Sequence, residues 1–324
     1  MNSITPYLIV IVIFASLILI FVTKKVLVNQ RKKHFSRNFP PETKEAAIGE
    51  ERDPSLIYLH IPNLMKWGNP NASPYSLKLE TWLRLNHIDY VVVRDFDLKS
   101  APKGKIPWIE YEGKKIGDSE LIINYLSEKL NIKEFASVDG DTSTFNLNEK
   151  IAVSHFITTL VSEHTVAGIL GYQRNYEYFE ETLKAYTGMD KLPFYLKFLA
   201  SRIKKGTFNK LKLRGLAIHS RDEIYFNIGK KDLQMLSLFL GNKKFFFGDG
   251  VSRVDASVFS ILASLAWIPL VNSPIKLMIL NDPEFLNLKN YLIRVKDLVW
   301  KDSKIPWYIG EDCVVRSNTI PFEE

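Results

Sequence analysis

The chain has 324 residues, 46% of them hydrophobic, which is enough to bury a large core and to divide into two domains. Its formal charge of +7 sits almost wholly between Lys24 and Arg37, where six Lys and Arg residues occur without an acid, so the remaining body is close to neutral. That body has no zinc-finger spacing, no aromatic RNP-like strand and no basic recognition helix, which argues against nucleic acid as a partner.

The first element is "SITPYLIVIVIFASLILIFVT", Ser3 to Thr23. It is uncharged for about 21 positions, or about 31 Å as a helix, the thickness of a bilayer core. Basic residues follow it rather than precede it and Ala-x-Ala is absent, the pattern of an uncleaved transmembrane anchor, with a cleaved signal as the alternative. The positive-inside rule then places everything after Val22 in the cytosol. Cys313, the only cysteine, agrees with a reducing compartment because no intramolecular disulfide can form. Asn71-Ala72-Ser73 has the form of a glycosylation triplet, but Pro74 makes it a poor acceptor.

Residues 1–23 are therefore read as the anchor and 24–54 as a basic, flexible tether without helix or strand periodicity. Its basic run serves as a topology signal, as a contact for anionic headgroups, or as both. From Leu56 the sequence becomes structured. "LIYLHIP" reads as a strand, "SPYSLKLETWLRLN" as a helix with Ser then Pro at its start, and "YVVVRDF" as a strand. "KIPWIEY" and "KKIGD" flank Glu112-Gly113 as a hairpin, and "SELIINYLSEKL" repeats apolar residues on one helical face. The order β-α-β-β-α predicts a thioredoxin-like domain over 55–132, followed by a linker over 133–146.

From Asn146 the pattern is helical, with apolar residues three or four apart in six segments, which predicts an all-α domain over 147–310 and a tail over 311–324. Ser220/Glu223 and Ser252/Asp255 have capping-box spacing. His155 and His164 are nine positions apart in one predicted helix, about 900° of rotation, and so cannot share a metal. No histidine pair has ligand spacing, and no P-loop, dinucleotide fingerprint or nucleophile elbow occurs. "SRIKKGTFNKLKLRG" is basic, either a solvated helix end or a membrane-facing segment.

The motifs "KIPWIE" and "GDSE" in the first half, followed by "FFFGDGVSRVDASVF" in the second, resemble the glutathione S-transferase fold over about residues 56–305. Within it, "SPYSLKLETWLR", "KGKIPWIEYEGKKIGDSE" and "NLKNYLIRVKDLVWKD" are most similar to the failed axon connections and metaxin-related branch, and the N-terminal anchor resembles the nematode cadmium-responsive proteins of that branch. The fold class expected is an α/β thioredoxin-like N-terminal domain plus an all-α C-terminal domain, preceded by one transmembrane helix. The resemblance implies glutathione as co-substrate or ligand, a role in stress, detoxification or cadmium response, a lysosomal or other endomembrane location, and a homodimer or another protein partner. A non-catalytic scaffold at a membrane is the alternative it also carries.

It further implies site residues. Ile106, ahead of a cis Pro107, would offer its backbone to the cysteinyl amide of glutathione; independently, Pro107 cannot donate to a sheet ladder, so an edge-strand proline is the other reading. Ser119, read as an N-cap, would leave N–H groups beside a helix dipole for the γ-glutamyl carboxylate. Asp118 would face the γ-glutamyl amino group, although the family carries the longer Glu or Gln here. Ser73, at the start of the first helix, stands where transferases place the residue that assists the thiol, or is simply a Ser-Pro helix start. A thiol of pKa about 8.5 is mostly protonated at neutral pH, so a hydroxyl donor and a helix N-terminus would favour the thiolate. Two features depart from the family: only "DLKSAPKG" separates the third and fourth predicted elements, too short for the usual second helix, and residues 63–72 lengthen the loop before Ser73 and bring in Trp67. That loop reads as a lid, a partner contact or a surface loop.

Overall fold

The computed structural model of the chain describes residues 44–46, 51–62, 69–94, 98–133, 145–187, 191, 193–268, 270 and 273–301. Its first half is a five-stranded sheet of order β1-β3-β2-β4-β5, formed by β1 (Lys44–Glu45), β2 (Tyr58–Ile61), β3 (Val91–Arg94), β4 (Trp108–Tyr111) and β5 (Lys114–Gly117). β1, β3 and β2 run parallel, whereas β4 and β5 are antiparallel and turn at Glu112-Gly113, both with positive φ. Helix α1 (Pro74–Leu85) crosses from β2 to β3, and α2 (Ser119–Lys129) follows β5. Side chains alternate across the strands. Leu59, Ile61, Val92 and Ile109 face the main core, while His60 turns to the other face and stacks on Trp108 at 3.5 Å between ring centroids.

One expectation needs correction here. Part of the predicted tether is structured: Lys44 and Glu45 pair with Val91 and Val92, the Ala46 N–H donates to Val92 C=O at 3.0 Å, and Arg94 reaches Glu45 at 2.8 Å. A two-residue strand is too short to show alternation in sequence. The predicted anchor, Ser3 to Thr23, lies outside the described residues, among which no helix is long and apolar enough to cross a membrane. Between β3 and β4, residues 98–106 form turns rather than a helix, with the Gly104 N–H donating to Ala101 C=O at 3.0 Å.

The second half is helical: α3 (Leu147–Thr159), continued by wide π turns over Leu160–Leu170 and Gln173–Glu177, then α4 (Phe179–Thr187), α5 (Phe194–Leu213), α6 (Lys230–Leu240), α7 (Arg253–Ala266), α8 (Pro274–Asn281) and α9 (Leu286–Val299). Sequence periodicity did not reveal α8, although Ser273-Pro274 repeats the Ser-Pro start of α1. Every residue of α7 after Arg253 is buried, its three later serines donating to the helix's own carbonyls. α1 packs against it, and every residue of α1 except Tyr75 is buried between sheet and helices.

Such burial requires each charged group to be paired. In α1, Glu80 accepts from the Tyr90 hydroxyl at 3.0 Å and lies 3.6 Å from Arg84. Arg84 donates to Tyr90 and to Val299 C=O at 2.8 Å, with its guanidinium 3.9 Å from the Trp300 ring centre. Trp300 Nε1 in turn donates to Thr81 at 3.2 Å, so the end of α9 is tied to α1.

At the start of α7, Asp255 is fully buried and accepts from Phe246 N–H (3.0 Å), Ser252 N–H (2.7 Å) and the Ser252 hydroxyl (2.8 Å). Burial pushes its carboxyl up to about 6, with those hydrogen bonds opposing the rise. Between its ordinary value and about 6 the native state keeps a proton that the unfolded state has released. Asp255 therefore makes stability fall as pH rises across that interval and contributes no slope above it. Asp255→Ala orphans two buried amides and is expected to cost about 3 kcal/mol or more in denaturant unfolding. A change below about 1 kcal/mol would contradict this role.

Candidate functional site

β4 and β5 meet with Trp108 opposite Gly117, so their ends bring Pro107 beside Asp118. The Asp118 N–H donates to Pro107 C=O at 3.4 Å, and the Ile106–Pro107 peptide bond is cis. Pro107 is buried and Ile106 half-buried. The N-cap of α2 is Asp118, not Ser119 as expected. Asp118 has φ of +86°, which folds its carboxylate back over the first turn, where Oδ1 accepts from Glu120 N–H (3.0 Å) and Leu121 N–H (3.4 Å). Ser119 becomes the first helical residue, with only 5% of its surface exposed. Those two first-turn donors are thus used by the protein itself.

Ser73 is the N-cap of α1. Its hydroxyl oxygen accepts from Ser76 N–H at 3.2 Å, and its own N–H donates to Asn71 Oδ1 at 3.0 Å. A hydroxyl that accepts this way keeps its proton for another acceptor. The loop before it is fastened: Asn69 and Asn71 are buried, Asn69 Nδ2 donates to Ser264 of α7 at 3.4 Å, and Arg174 donates to Ala72 C=O at 2.8 Å. Its described end, 69–72, is therefore held between the two halves rather than lying on the surface; Trp67 lies outside the described residues.

No hydrogen bond joins Ser73 to Asp118 or Ser119 among the described residues. The two helix starts are linked instead by an ion pair from Lys78 to Glu120. Lys78 is buried, and desolvation lowers the pKa of its ammonium while Glu120 opposes that. Glu120 also lies 3.6 Å from Arg253 at the start of α7, and Arg253 donates to Asn124 Oδ1 at 2.9 Å. Tyr75 bridges the same seam, its hydroxyl donating to Ser162 C=O at 3.4 Å. Burial raises its pKa, reinforced by Glu163, so it stays a neutral phenol.

Of these groups, Glu120, Asn124, Ser162, Glu163 and Arg253 border a cleft of about 550 Å³ between α2, α3 and the start of α7, within the usual size of a small-molecule site. Glu120, Arg253, His155 and Glu163 line it, together with Ser154 and Thr158, whose buried hydroxyls have no hydrogen-bond partner among the described residues. None of Ser73, Ile106, Pro107, Asp118 and Ser119 lines it; the cleft begins one residue beyond Ser119. The sequence reading missed Glu120, Arg253, Ser154 and Thr158. Glu120 follows the motif directly, and Arg253 lies inside the Ser252/Asp255 box, but their meeting is a long-range event. His155 lines the cleft whereas His164 turns to Asp232 at 2.9 Å, and no cluster of three potential metal ligands exists among the described residues.

A cleft between a thioredoxin-type sheet domain and a helical domain, in a chain whose β4 is entered through a cis proline, defines a transferase-like class of protein. Family models for the glutathione S-transferase N-terminal domain and the glutathione S-transferase C-terminal domain match residues 74–176 and 229–295. The chain is 31% identical over 221 residues to the isoprene-epoxide glutathione S-transferase of Rhodococcus sp. (strain AD45), covering 65% of this chain and 86% of that protein. It is 32% identical over 245 residues to Failed axon connections of Drosophila melanogaster, covering 71% of this chain, and spans 54% of that protein's length. With Metaxin-1 of Mus musculus it shares 28% identity over 206 residues, 61% of this chain and 62% of that one. The chain belongs to the glutathione S-transferase family, with Failed axon connections and metaxin-1 among its relatives.

Replacing Glu120 by Gln removes the carboxylate facing both Lys78 and Arg253. We expect a loss of about 2–3 kcal/mol in stability at neutral pH, because a buried ammonium loses its partner. Lys78 then has a still lower folded pKa, so stability climbs more steeply as pH rises towards the unfolded lysine value. The double variant Lys78→Met/Glu120→Gln is expected to recover most of the loss, and denaturant unfolding at two pH values reads both effects. Equal stability of Glu120→Gln and wild type would contradict the pairing.

Proposed function

We propose that this chain binds glutathione along the seam between its two halves and uses the thiol against electrophiles, in stress, detoxification or cadmium response. The observation that carries the proposal is the chemistry of the seam. Glutathione has two carboxylates, one ammonium group and two amides; Arg253 suits a carboxylate, Glu120 and Asp118 suit the ammonium, and the unpaired hydroxyls of Ser154 and Thr158 suit amide groups. Asp118 and Ser119 directly precede Glu120 in the chain and Asp118 meets Pro107; the family resemblance assigns the peptide and γ-glutamyl contacts to these residues and Ile106. Ser73 retains a hydroxyl proton to donate to the thiolate. Glutathione supplies the sulfur nucleophile; the protein orients it and favours its ionised form. A cadmium ion would be taken by the same soft thiolate, since the chain has one cysteine.

The body is proposed to face the cytosol, anchored in an endomembrane through residues 3–23, on the strength of the uncharged run and the basic cluster after it. A second reading, a non-catalytic scaffold for protein contacts, is favoured by one observation: Asp118 spends its carboxylate on capping α2, in a position where a ligand would need it.

Calorimetry of the full chain in lipid nanodiscs separates the two. Glutathione is expected to bind at millimolar or lower concentration, and Arg253→Met to weaken binding by about tenfold, the loss of one charge-assisted contact. Ser73→Ala should bind within about threefold of wild type yet shift the pH profile of conjugation to a standard electrophile upward by 1 unit or more, roughly the effect of one hydroxyl donor on a thiol. No heat at millimolar glutathione, in wild type and variants alike, favours the scaffold.

A further inference from the structure

Helix α5 and the corner after it carry the strongest one-signed charge among the described residues. From Phe194 to Arg221 the sequence has eight Lys and Arg and no Asp or Glu. Arg214 and Arg221 are engaged by Glu163 at 3.3 Å and Glu177 at 2.5 Å. Lys205, Lys210 and Lys212 are exposed and have no ion-pair partner among the described residues. The helix closes at Arg214, Gly215 turns the chain with φ of +72°, and a short 3₁₀ turn, Leu216–Ile218, leads away.

At that corner Leu211 and Leu216 point inward and hold it to the body, while Leu213 and Ile218 are 88% and 80% exposed. A single exposed aliphatic side chain is ordinary. Two nearly bare ones on either side of one glycine, collared by unpaired lysines, have the composition of a surface that enters lipid headgroups. Single-sign charge on this scale calls for an anionic occupant. The chain's own uncharged run at Ser3 to Thr23, with its basic flank, argues for a bilayer as that occupant.

We propose that the corner Lys210 to Ile218 docks on an anionic lipid bilayer. Leu213 and Ile218 enter the boundary between headgroups and acyl chains, and Lys205, Lys210 and Lys212 meet the lipid phosphates. The docking stands on this corner's own residues and is independent of glutathione binding; the anchor reading only brings the bilayer near.

The test uses the full chain carrying Cys313→Ser, with a polarity-sensitive dye on the cysteine of Leu213→Cys. It is mixed with phosphatidylcholine vesicles, either alone or containing about 30% phosphatidylserine, a strongly anionic surface. Dye emission is expected to shift blue and rise severalfold only in anionic vesicles, and to return to the aqueous value at about 1 M salt, where the Debye length is ~3 Å. The triple reversal Lys205→Glu/Lys210→Glu/Lys212→Glu should abolish the shift while leaving thermal unfolding unchanged. The same dye at Leu238, 81% exposed on α6, should not respond. Equal emission in both vesicle types, an equal response at Leu238, or a shift that survives charge reversal overturns the proposal. Flotation with neutral vesicles reports separately on the anchor: a chain that floats only with anionic vesicles and shows the dye shift supports the corner and removes the anchor.

Discussion

Burying a charged helix between two domains is the constraint on which the rest of this structure depends. α1 has no solvent-facing side to receive Lys78, Glu80 and Arg84, so each must find its partner in another element. Glu80 and Arg84 find theirs in Tyr90 and the Val299 carbonyl, which locks the last helix onto the first domain. Lys78 finds Glu120, which locks the second helix beside the first. A hydrophobic α1 could have packed in several rotations about its axis. These polar pairings fix one, and that rotation brings the starts of α1 and α2 to the same end of the seam.

The seam inherits its chemistry from this arrangement. Glu120 serves two cations, one buried in α1 and one at the edge of α7, so the cleft carries a carboxylate and a guanidinium in register. Tyr75 reaches the carbonyl of Ser162, a residue of the cleft wall, and burial keeps it protonated and able to donate. Around them lie the buried hydroxyls of Ser154 and Thr158, without a hydrogen-bond partner among the described residues. His60 and Trp108 stack against each other away from the main core.

Much of this was legible in the sequence for local reasons. Runs such as "YVVVR" and the Ser-Pro helix start are strand and cap signals that need no tertiary context, and the Ser252/Asp255 spacing announced the start of the central helix. What stayed hidden depended on backbone sign or on distant partners. Asp118 became the cap in place of Ser119 because its φ is positive, which composition does not reveal. β1 is held by register with β3, not by its own two residues. Glu120 and Arg253 stand 133 positions apart in the chain, and only the folded packing of α1 on α7 explains their proximity. The charge run in α5 was visible from the start, but its exposure and the bare Leu213 and Ile218 were not.

A crystal structure of the chain with glutathione tests the central claim most directly. The account predicts the tripeptide in the seam, its γ-glutamyl end beside Asp118 and Glu120, a carboxylate on Arg253 and its sulfur within hydrogen-bonding reach of the Ser73 hydroxyl. Density for glutathione elsewhere on the protein, or a seam filled by the side chains of residues 63–68, would contradict it.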